Sequence, residues 1–529
     1  MKKRQQKIHR IPLNKLAILM AEQDNVAIAK REIRQGTIIR CRDGVIRISD
    51  VIPKGHRFSL SDIGKGGAVI QYGYPFGVSK GIKKGRIIGK YNTDVYRDGN
   101  YETMIEAAFS GRKAVVPGRV RRTADAGRTF MGFMRENGQV GTRNYYLVVP
   151  TSLCASDVAV KIAGSLDNNK LLKKKYKNID GIVAAAHTEG CGCNDGEIVE
   201  RLMLTLKNTL IHSNVGGALI IDLGCEKTNL EFVSKHFGSL SKYGKPVDFI
   251  SIQELGGTGR ALAQGEKIVR RRLQEVNCSK REEVSIKYLI IGTECGASDS
   301  FSGITANPLI GRTVDGIICS GGSAILSETP EMLGAEKILM ERMLSRKVAE
   351  KFANGVNYYK SLANKLNVSM DGNFVAGNEA GGLVNLTLKS LGAVLKGGST
   401  RIVDFLNYAE RTKRQGLSIM NGPGNDLESM TGIVASGANI ILFSTGMGTT
   451  EGNLLVPVIK ISTRTEIYEK MKEDMDFNAG VLMDNNESLD KLSGSLMDMV
   501  VNVASGKKTW AEVWKKRSFQ IWSAGKLSL

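Results

Sequence analysis

Residues 145–154 read YYLVVPTSLC, a run of six largely apolar residues that passes directly into small polar residues and a cysteine. The same design recurs downstream in GIVAAAHTEGCGC (181–193), ALIIDLGCE (218–226) and YLIIGTEC (288–295). Near-continuous runs of this kind are typical of strands that are buried on both faces of a parallel sheet. Amphipathic stretches such as GEIVERLMLTLKNTLI (196–211) stand between the runs. The pattern therefore predicts strands that alternate with helices.

Cysteines stand at or just before the predicted ends of these strands. Ligands of open parallel sheets bind beyond the carboxyl ends of the strands, and the helix after each loop offers backbone N–H groups to an anion. A single buried cysteine is usually only a small apolar side chain. Repetition at one topological position favours instead a shared site for a small anionic metabolite. The cysteines concerned are Cys154, Cys191, Cys225, Cys295 and Cys319.

The chain of 529 residues is long enough for several domains, because single cores rarely grow past about 250–300 residues. Short apolar runs split by Gly, Asp and Pro predict a small β-rich domain at 1–97. Residues 98–128 are polar, basic and without clear periodicity, and we expect a linker that lies on the main body. Two α/β domains are expected at 129–280 and 281–529. The predicted fold class is therefore α/β, with mainly parallel sheets and flanking helices, preceded by a small β-rich domain.

Composition excludes several classes of protein. The net charge of +21 comes from scattered lysines and arginines without interleaved aromatic residues, so we expect a basic surface that attracts acidic substrates and no nucleic-acid partner. No uncharged apolar run reaches the roughly 18 residues of a membrane span. Eight cysteines are too few for a disulfide framework in a chain of this length, which predicts a protein of the reducing cytoplasm.

The densest group of possible metal ligands is the segment from His187 to Cys193, which reads HTEGCGC. Thiolate and imidazole suit iron, zinc or cobalt. The Cys-x-Cys spacing is not that of a zinc finger, so a metal here would take further ligands from other loops. A glycine turn with a capping histidine explains the same residues equally well.

A second polar segment, CGASDSFSGITANP (295–308), carries Ser298, Asp299 and Asn307. So many polar groups in one loop favour hydrogen bonding to a polyhydroxylated ligand, and a capped helix start is the alternative. Arg135 and Arg143 flank a glycine turn and suit carboxylate groups, although loop arginines are usually only solvated. A nucleotide site has no support, since no Walker A sequence and no GxGxxG in its proper context is present.

Taken together, the motifs closely resemble the altronate/galactarate dehydratase family over nearly the whole chain. The N-terminal segments DNVAIA (24–29) and IPKGHRFSL (52–60) resemble the small β-rich SAF domain of that family. The other matching segments are GFMRENGQVGTRNY (132–145), HTEGCG (187–192), LGCEKTN (223–229), QELGGT (253–258), ECGASDSFSGITANPLIG (294–311), GGSAILSETPEMLGAEKIL (321–339), KSLGAVLKGG (389–398), PGNDLESMTGIVASGANIILFSTGMGT (423–449) and DMDFNAG (474–480).

The resemblance implies a hydro-lyase that removes water from a sugar acid to give a 2-keto-3-deoxy acid, with a divalent metal, Fe²⁺ or Mn²⁺. The proton α to a carboxylate is very weakly acidic, so such an enzyme needs a base, an acid for the departing hydroxyl, and positive charge at the enediolate. We expect a small anionic hydroxy acid as substrate and a homo-oligomeric assembly.

The sequence departs from the family's pattern at several positions. The family's His-x-His-Asn motif at the end of the SAF domain reads Gly89-Lys90-Tyr91-Asn92 here, while a Glu, an Asp and an Arg of the family are replaced by Leu388, Asn421 and Met447. Two alternatives therefore stay open. One is a sulfo-lyase that cleaves the C–S bond of a sulfonated hydroxy acid such as sulfolactate, and the other is a catalytically silent paralogue that binds a metabolite.

The candidate site follows from these motifs and the resemblance. Acid and base roles fall to two residues, metal ligation to four, and substrate binding to seven. The candidates are Glu328 and Lys389 for catalysis, His187, Cys191, Cys225 and Cys295 for the metal, and Arg135, Arg143, Asn144, Ser298, Asp299, Asn307 and Asn378 for the substrate.

Overall fold

The computed structural model covers most of the chain. None of the helices in the part that it describes is both long enough and apolar enough to span a membrane. All eight cysteines lie in that part, and all are free thiols. The described residues are 10–42, 44–97, 99–110, 127–239, 243–484 and 487–523.

The N-terminal block consists of short strands in three small sheets, with orders β1-β4-β5, β2-β3-β6 and β7-β8-β9. Its apolar runs are short because each strand ends at a tight turn, and residues such as Ile39 and Phe58 are fully buried between the sheets. The elements are β1 Arg10–Pro12, α1 Leu13–Leu16, β2 Ala17–Ile18, β3 Val26–Ala29, β4 Ile38–Cys41, β5 Gly44–Arg47, β6 Arg57–Ser59, β7 Ala68–Gln71, β8 Tyr74–Ser79 and β9 Thr93–Val95.

Arg57 fastens this block to the rest of the protein. Its guanidinium is completely buried and donates hydrogen bonds to Gln71 Oε1 at 2.8 Å, to Gly382 O at 2.6 Å and to the Ser300 hydroxyl. A buried arginine with several acceptors is costly to separate from them, because each acceptor and the charge would lose its partner. The N-terminal block therefore rests firmly on the loop that follows residue 295.

The segment expected to be a linker contains a helix, α2 (Tyr101–Phe109). Asn100 caps it by accepting a hydrogen bond from Thr103 N at 3.1 Å, and Met104 and Ile105 are buried against the main body. The short helix escaped the sequence analysis because its apolar face spans little more than two turns. Residues 111–126 of the expected linker lie outside the described residues.

The first α/β region is built on a four-stranded parallel sheet with the order β13-β12-β14-β15. All six residues of β12 and all eight of β14 are buried, since helices cover both faces. The elements are β10 Thr129–Met134, β11 Val140–Gly141, β12 Tyr145–Pro150, α3 Leu153–Asp167, α4 Lys170–Lys175, β13 Gly181–Ala184, α5 Glu197–Leu210, β14 Val215–Asp222, α6 Leu230–Phe237, β15 Val247–Ser251, α7 Thr258–Val276 and β16 Glu282–Ser285.

The second α/β region is built on a seven-stranded parallel sheet with the order β19-β20-β18-β17-β21-β22-β23. Parallel strands place all their carboxyl ends at one edge, which is where the candidate site lies. The elements are β17 Ile290–Cys295, α8 Ala306–Cys319, β18 Ser323–Leu326, α9 Glu336–Arg342, α10 Arg346–Lys365, α11 Ala376–Ala380, α12 Leu386–Ala393, β19 Ile402–Leu406, β20 Leu417–Met420, α13 Asp426–Ala435, β21 Ile440–Thr445, β22 Val458–Ser462, α14 Thr465–Lys470, β23 Phe477–Asn478, α15 Val481–Asp484, α16 Leu489–Ala504 and α17 Trp510–Val513.

One of the expected strand-end cysteines is placed differently. Cys319 is the last residue of helix α8, so the run GIIC (316–319) is a helix end and not a strand. A short apolar run cannot be assigned by periodicity alone, because a buried helix segment and a buried strand have the same composition. Cys319 therefore takes no part in a strand-end site.

Candidate functional site

A group of buried ionisable side chains surrounds the thiol of Cys295, the last residue of β17. Lys396 Nζ lies 2.6 Å from Cys295 Sγ and 2.5 Å from Glu328 Oε2. Glu331 Oε2 is 3.0 Å from the same sulfur. Lys389 pairs with Glu331 at 2.8 Å. We call these five residues the Cys295 cluster, and none of them exposes more than 7% of its surface.

Short turns after the strands and helices position these side chains. Glu328 follows β18 and has φ +69°, a left-handed conformation that a non-glycine residue adopts only when its surroundings hold it there. Its Oε2 accepts a hydrogen bond from Cys295 N at 3.2 Å. Lys389 lies on α12, and Lys396 lies on the turn that follows that helix. The cluster thus joins elements about 100 residues apart in sequence, as the Cys295–Lys396 separation of 101 shows.

Burial and charge set the protonation of the cluster. Burial and the neighbouring carboxylate of Glu331 raise the pKa of Glu328. Burial and the carboxylates of Glu328 and Glu331 hold the pKa of the Cys295 thiol well above its usual value. Burial opposes the ionised form of Glu331, yet Lys389 and Lys396 hold its pKa below the usual value. The site therefore combines a fixed carboxylate at Glu331 with a proton acceptor of raised pKa at Glu328.

Two more carboxylates approach Glu328 from the other side. Single oxygens of Glu294, Glu328 and Asp426 lie within 4.8 Å of one another. Burial and the charge of Glu328 raise the pKa of Asp426 to about 7. Burial and Glu328 also hold the pKa of Glu294 well above its usual value. Carboxylates so close together repel one another unless a proton or a cation stands between them.

The two groups of possible ligands differ in their fit to a metal ion. In the first, formed by Cys295, Glu328 and Glu331, the ammonium of Lys396 already lies between thiol and carboxylate. In the second, Glu294 Oε2 accepts a hydrogen bond from Ser429 at 2.6 Å, while the buried Oε1 has no donor in the described chain. An all-oxygen set with an unsatisfied oxygen fits a hard divalent cation better than a set that contains an ammonium.

Five of the residues predicted from the sequence lie in or beside the Cys295 cluster. Cys295, Glu328 and Lys389 are members of it. Ser298 Oγ lies 3.8 Å from Cys295 Sγ, and Asn378 donates to Ser298 O at 2.8 Å. These contacts bring Ser298 and Asn378 to the edge of the cluster, where Asn378 fixes the backbone of the loop.

Asp299 and Asn307 hold the same loop in place from inside. Asp299 Oδ2 forms an ion pair with Arg464 Nε at 2.9 Å, and its Oδ1 accepts hydrogen bonds from the backbone of the loop. Asn307 donates to Gly392 O at 2.9 Å and accepts from Ser444 Oγ at 2.6 Å. Both side chains bind protein groups, so in this structure they stabilise the loop that follows Cys295.

Arg135, Arg143 and Asn144 are built into the protein interior, away from the strand ends. Arg143 is 1% exposed and forms two hydrogen bonds with the Glu512 carboxylate, at 2.6 Å and 2.8 Å. Arg135 donates to Ser213 O at 2.7 Å and to Asn144 Oδ1 at 3.0 Å. The guanidinium groups of Arg135 and Arg143 were expected to bind substrate carboxylates. They bind protein groups instead, because the glycine turn between them places both side chains in the interior beside the start of β12.

The four residues predicted as metal ligands do not form one site. Neither ligand group in the described chain contains His187, Cys191 or Cys225. His187 Nε2 contacts Pro150 O at 3.0 Å and its Nδ1 accepts from Glu189 N at 3.1 Å, so both ring nitrogens are used by the backbone. The physical reason is topological. These three residues follow strands of the four-stranded sheet, whereas Cys295 follows a strand of the other sheet.

Four charged residues of the site were not predicted from the sequence, namely Glu294, Glu331, Lys396 and Asp426. Each lies within a motif that was recognised. The sequence could not show that these side chains are buried, because a charged residue beside apolar or glycine residues can be buried or exposed. A lysine before two glycines at the end of the apolar run GAVLKGG was the clearest available signal. The side chains that contact Lys396 lie on other elements, so its neighbours in the sequence do not reveal them.

The departures from the family's pattern lie at different distances from the cluster. Asn421 Oδ1 accepts from Thr329 Oγ1 at 3.0 Å, directly beside Glu328. Leu388 is 1% exposed and belongs to the apolar core. Met447 and Tyr91 are exposed, at 39% and 63%. Asn421 is therefore the departure that changes the immediate surroundings of the acid and base groups.

A cavity of about 400 Å³ lies between the two α/β regions. Its wall includes the loop of His187 and Glu189 on one side and Leu427, next to Asp426, on the other. The C-terminal segment 518–521 and Ser523 complete the wall. The cavity is large enough for a six-carbon acid, and the lining residue nearest in sequence to the site is Leu427, which follows Asp426 on α13.

Three family models match successive parts of the chain. The model "Altronate/galactarate dehydratase SAF domain" matches residues 15–95. The model "D-galactarate dehydratase/Altronate hydrolase, second domain" matches 132–277. The model "D-galactarate/Altronate dehydratase, C-terminal" matches 286–527. The β-rich N-terminal block is thus a SAF domain that precedes a mixed α/β part with parallel sheets and flanking helices.

Relatives of known name match over most of the chain. Altronate dehydratase of Bacillus subtilis is 34% identical over 491 residues, which cover 93% of this chain and 95% of the relative. Galactarate dehydratase (L-threo-forming) of Escherichia coli is 31% identical, covering 94% of each chain. The beta subunit of (2R)-sulfolactate sulfo-lyase of Chromohalobacter salexigens is 28% identical, covering 75% of this chain and 97% of the relative. With these matches and the SAF domain before two parallel sheets, the chain belongs to the altronate/galactarate dehydratase family.

Proposed function

We propose that the protein is a hydro-lyase that removes water from a sugar acid of the altronate or galactarate type and forms a 2-keto-3-deoxy acid. The observation that carries the proposal is the Cys295 cluster, in which a carboxylate of raised pKa and two ammonium groups are buried at the strand ends. The names of the relatives support the substrate class.

Glu328 is the proposed base. Its raised pKa makes it a better proton acceptor than an ordinary carboxylate. Lys396 donates to its Oε2 at 2.5 Å and so fixes the direction in which the carboxylate faces. In the proposed reaction, Glu328 takes the proton α to the substrate carboxylate. The electron pair of that C–H bond forms the enediolate, and the later collapse of the enediolate breaks the bond between the β-carbon and its hydroxyl.

Lys389 is the proposed acid for the departing hydroxyl. Its ammonium donates to Glu331 and to the backbone and side-chain oxygens of Asn373, at 2.8 Å and 2.5 Å for the latter two. Asn373 lies on a half-buried turn, so a substrate hydroxyl can replace its oxygens without breaking the buried ion pair with Glu331. The hydroxyl leaves as water after it takes this proton.

A divalent cation, Fe²⁺ or Mn²⁺, would be held by single oxygens of Glu294 and Asp426, beside Glu328, and would supply positive charge to the enediolate oxygens. Asp426 is only half buried, and Leu427, the next residue of α13, lines the cavity. We therefore propose that substrate enters from that side. The residues proposed to hold the loop beside Cys295 in position are Ser298, Asp299, Asn307 and Asn378.

The sulfo-lyase alternative is supported by one relative and by Asn421, which removes a negative charge of the family's pattern beside Glu328. A sulfonated substrate carries a second fixed negative charge, which such a change would favour. The retained cluster speaks against a silent paralogue, because buried charges without a role are costly to maintain.

The test uses the full chain under reducing, oxygen-free conditions with Fe²⁺ or Mn²⁺. Altronate, galactarate and sulfolactate are offered in turn, and keto-acid product and released sulfite are measured. Keto acid from a sugar acid supports the proposal, whereas sulfite release or inactivity with all three substrates overturns it.

The role of Glu328 is tested with a matched pair of variants. Glu328→Gln keeps the shape of the side chain and should lower kcat by about 10²–10⁴-fold. Glu231→Gln is the control, since Glu231 is an exposed partner of Lys235 on α6. Full activity in Glu328→Gln would exclude this residue as the base.

We also propose domains at 1–97, 129–280 and 281–529, with the segment 98–128 joining the first two. The protein is proposed to be a homo-oligomer in the cytoplasm. Free thiols at all eight cysteines support a reducing compartment.

A further inference from the structure

Another cavity, of about 330 Å³, lies at the edge of the seven-stranded sheet that is opposite to the Cys295 cluster. Its wall contains residues at which strands of this sheet begin. Ile290 and Ser323 are the first residues of β17 and β18, and Asn439 directly precedes β21. Because β17 has six residues, about 17 Å of strand separates the cavity from Cys295. The proposed chemistry does not use this cavity.

The charged side chains that line the cavity are all cations. Three of them come from the loop RTKR (411–414) between β19 and β20, and the fourth is Lys287, just before β17. No carboxylate of the described residues belongs to the wall. Like charges around one space repel one another unless an anion lies between them. The wall therefore favours a negatively charged occupant.

Arg411 is the cation whose surroundings are least complete. Its Nη1 is buried and has no hydrogen-bond partner in the part of the chain that the structure describes. Burial lowers the pKa of Arg411, and within the same residues no carboxylate raises it again. A buried N–H group without an acceptor costs free energy, because it has lost water and gained no partner. A bound anion would supply both the acceptor and the opposite charge.

Other deeply buried arginines do have a carboxylate nearby, which offsets part of the effect of burial on their pKa. The pairs are Arg57 with Asp299, Arg135 with Asp180, Arg143 with Glu512 and Arg342 with Asp315. Arg411 differs from all four. The fold can thus provide a buried arginine with a carboxylate, and beside this cavity it does not.

Helix ends offer a different explanation for cations at this edge. Helices α8 and α13 both end near the cavity, and cations stabilise the C-terminal end of a helix. Other donors already serve the carbonyl groups there. Thr412 N donates to Ser436 O at 3.3 Å, and Gln415 Nε2 donates to Gly321 O. Arg411 Nη1 donates to neither, so the helix ends do not account for it.

Hydrogen bonds hold the wall of the cavity in shape. Asn439 Nδ2 donates to Tyr288 O at 3.0 Å, and Asn439 Oδ1 accepts from Ile290 N at 2.9 Å. Thr412 Oγ1 donates to Arg414 O at 2.9 Å and closes the turn of its loop. A volume of about 330 Å³ is in the range of small-molecule sites and leaves room for a short carbon skeleton beside one anionic group.

From these observations we infer that the cavity binds a phosphoryl group, that of a small phosphorylated metabolite or of free phosphate, with Arg411 as its main hydrogen-bond donor. A phosphoryl group carries about two negative charges near neutral pH and has three acceptor oxygens, so it suits several cations better than one carboxylate does. A guanidinium donates two parallel hydrogen bonds to such oxygens. The exposed cations Lys287, Lys413 and Arg414 add positive charge at the rim.

The test is isothermal titration calorimetry of the full chain at low ionic strength, without sugar acid, so its result does not depend on the proposed function. The probes are glycerol 3-phosphate, inorganic phosphate and malonate. We expect one phosphate site per chain. Tighter binding of glycerol 3-phosphate than of phosphate identifies a phosphorylated metabolite, and equal binding identifies free phosphate. Malonate binding as tight as that of both phosphates, or no saturable binding of either phosphate, would overturn the inference.

Two variants and a control locate the site. Arg411→Gln should weaken phosphate binding about 10–100-fold, because hydrogen bonds to a charged group are lost. Lys413→Gln should weaken it less, since this lysine is exposed. Arg34→Gln is the control. It removes the same charge from an exposed arginine of the N-terminal block, and its affinity should equal that of the unaltered protein. Undiminished affinity in Arg411→Gln would refute the assignment.

Thermal unfolding separates ligand binding from a structural role of Arg411. Without phosphate, Arg411→Gln should melt at the temperature of the unaltered protein or above it, because the variant removes a buried charge that has no partner. Phosphate should raise the melting temperature of the unaltered protein and of Arg34→Gln, but not that of Arg411→Gln at equal ionic strength. A lower melting temperature of phosphate-free Arg411→Gln would show that Arg411 serves the fold and would overturn the inference.

Discussion

Replacing Lys396 by methionine should destabilise the protein strongly, and the cost should grow with pH. The ammonium lies between Cys295 Sγ and Glu328 Oε2, and the side chains of Lys396 and Glu328 are each 1% exposed. Methionine has a similar length and no charge. In the variant, the Glu328 carboxylate stays buried without the cation that balances it.

The expected magnitude follows from that burial. Removing one partner of a buried ion pair costs about 3–5 kcal/mol, because the other charge remains without compensation. For α/β regions of this size, that corresponds to a fall in melting temperature of roughly 10 °C. An exposed pair contributes only about 0.2–1 kcal/mol. Lys235→Met breaks the exposed pair with Glu231 and is the matched control.

The pH dependence identifies the cause. Burial already raises the pKa of Glu328 above the ordinary 4.5, and loss of Lys396 raises that pKa further. Below pH 4.5 the side chain is neutral in the folded and the unfolded state, so the cost shrinks. As the pH rises above 4.5, the unfolded state ionises while the folded state resists, and the cost increases.

The assay is thermal unfolding followed by circular dichroism at several pH values between 5 and 8, for the unaltered protein and both variants. We expect the gap between Lys396→Met and Lys235→Met to widen with pH. Equal melting temperatures for the two variants, or a gap that is constant with pH, would refute the view that Lys396 balances a buried carboxylate.

Two further predictions concern the frame around the site. Burial lowers the pKa of His212 from 6.5 to about 3, and its ring contacts Ala438 O at 2.9 Å across the two α/β regions. The stability that neutral His212 contributes is therefore complete above pH 6.5. It is lost as the pH falls towards 3, by up to roughly 5 kcal/mol, because the unfolded state takes up a proton that the folded state does not. Melting curves of His212→Gln should therefore depend less on pH between 7 and 5 than those of the unaltered protein, and parallel curves would contradict this. Arg143→Met should cost about 3–5 kcal/mol, because it leaves Glu512 without its buried partner. Its KM should stay unchanged at a temperature where it is folded, and a large rise in KM without loss of stability would restore Arg143 as a substrate ligand.

The strand ends themselves could be foreseen because their signals are local. A parallel strand buried on both faces must be apolar along its whole length, so YYLVVP and IIGTEC mark β12 and β17 without knowledge of their neighbours. Residues at such ends must point to one edge of a sheet. Glu328 was predicted from a segment that resembles the family, and it lies at such an end, just after β18.

What the chain alone could not decide is which side chains meet. Arg143 and Lys396 are both cations beside glycines in the sequence, yet one is paired with Glu512 below the sheet and the other with Glu328 at the strand ends. His187 and Cys295 follow similar strands but belong to different sheets. Whether a charged side chain stabilises the fold or takes part in the reaction depends on the partner that it contacts. That partner is some hundred residues or more away in the sequence, and no local pattern encodes it. The sequence therefore determined the strands and their ends, and tertiary packing decided the pairing of the charges.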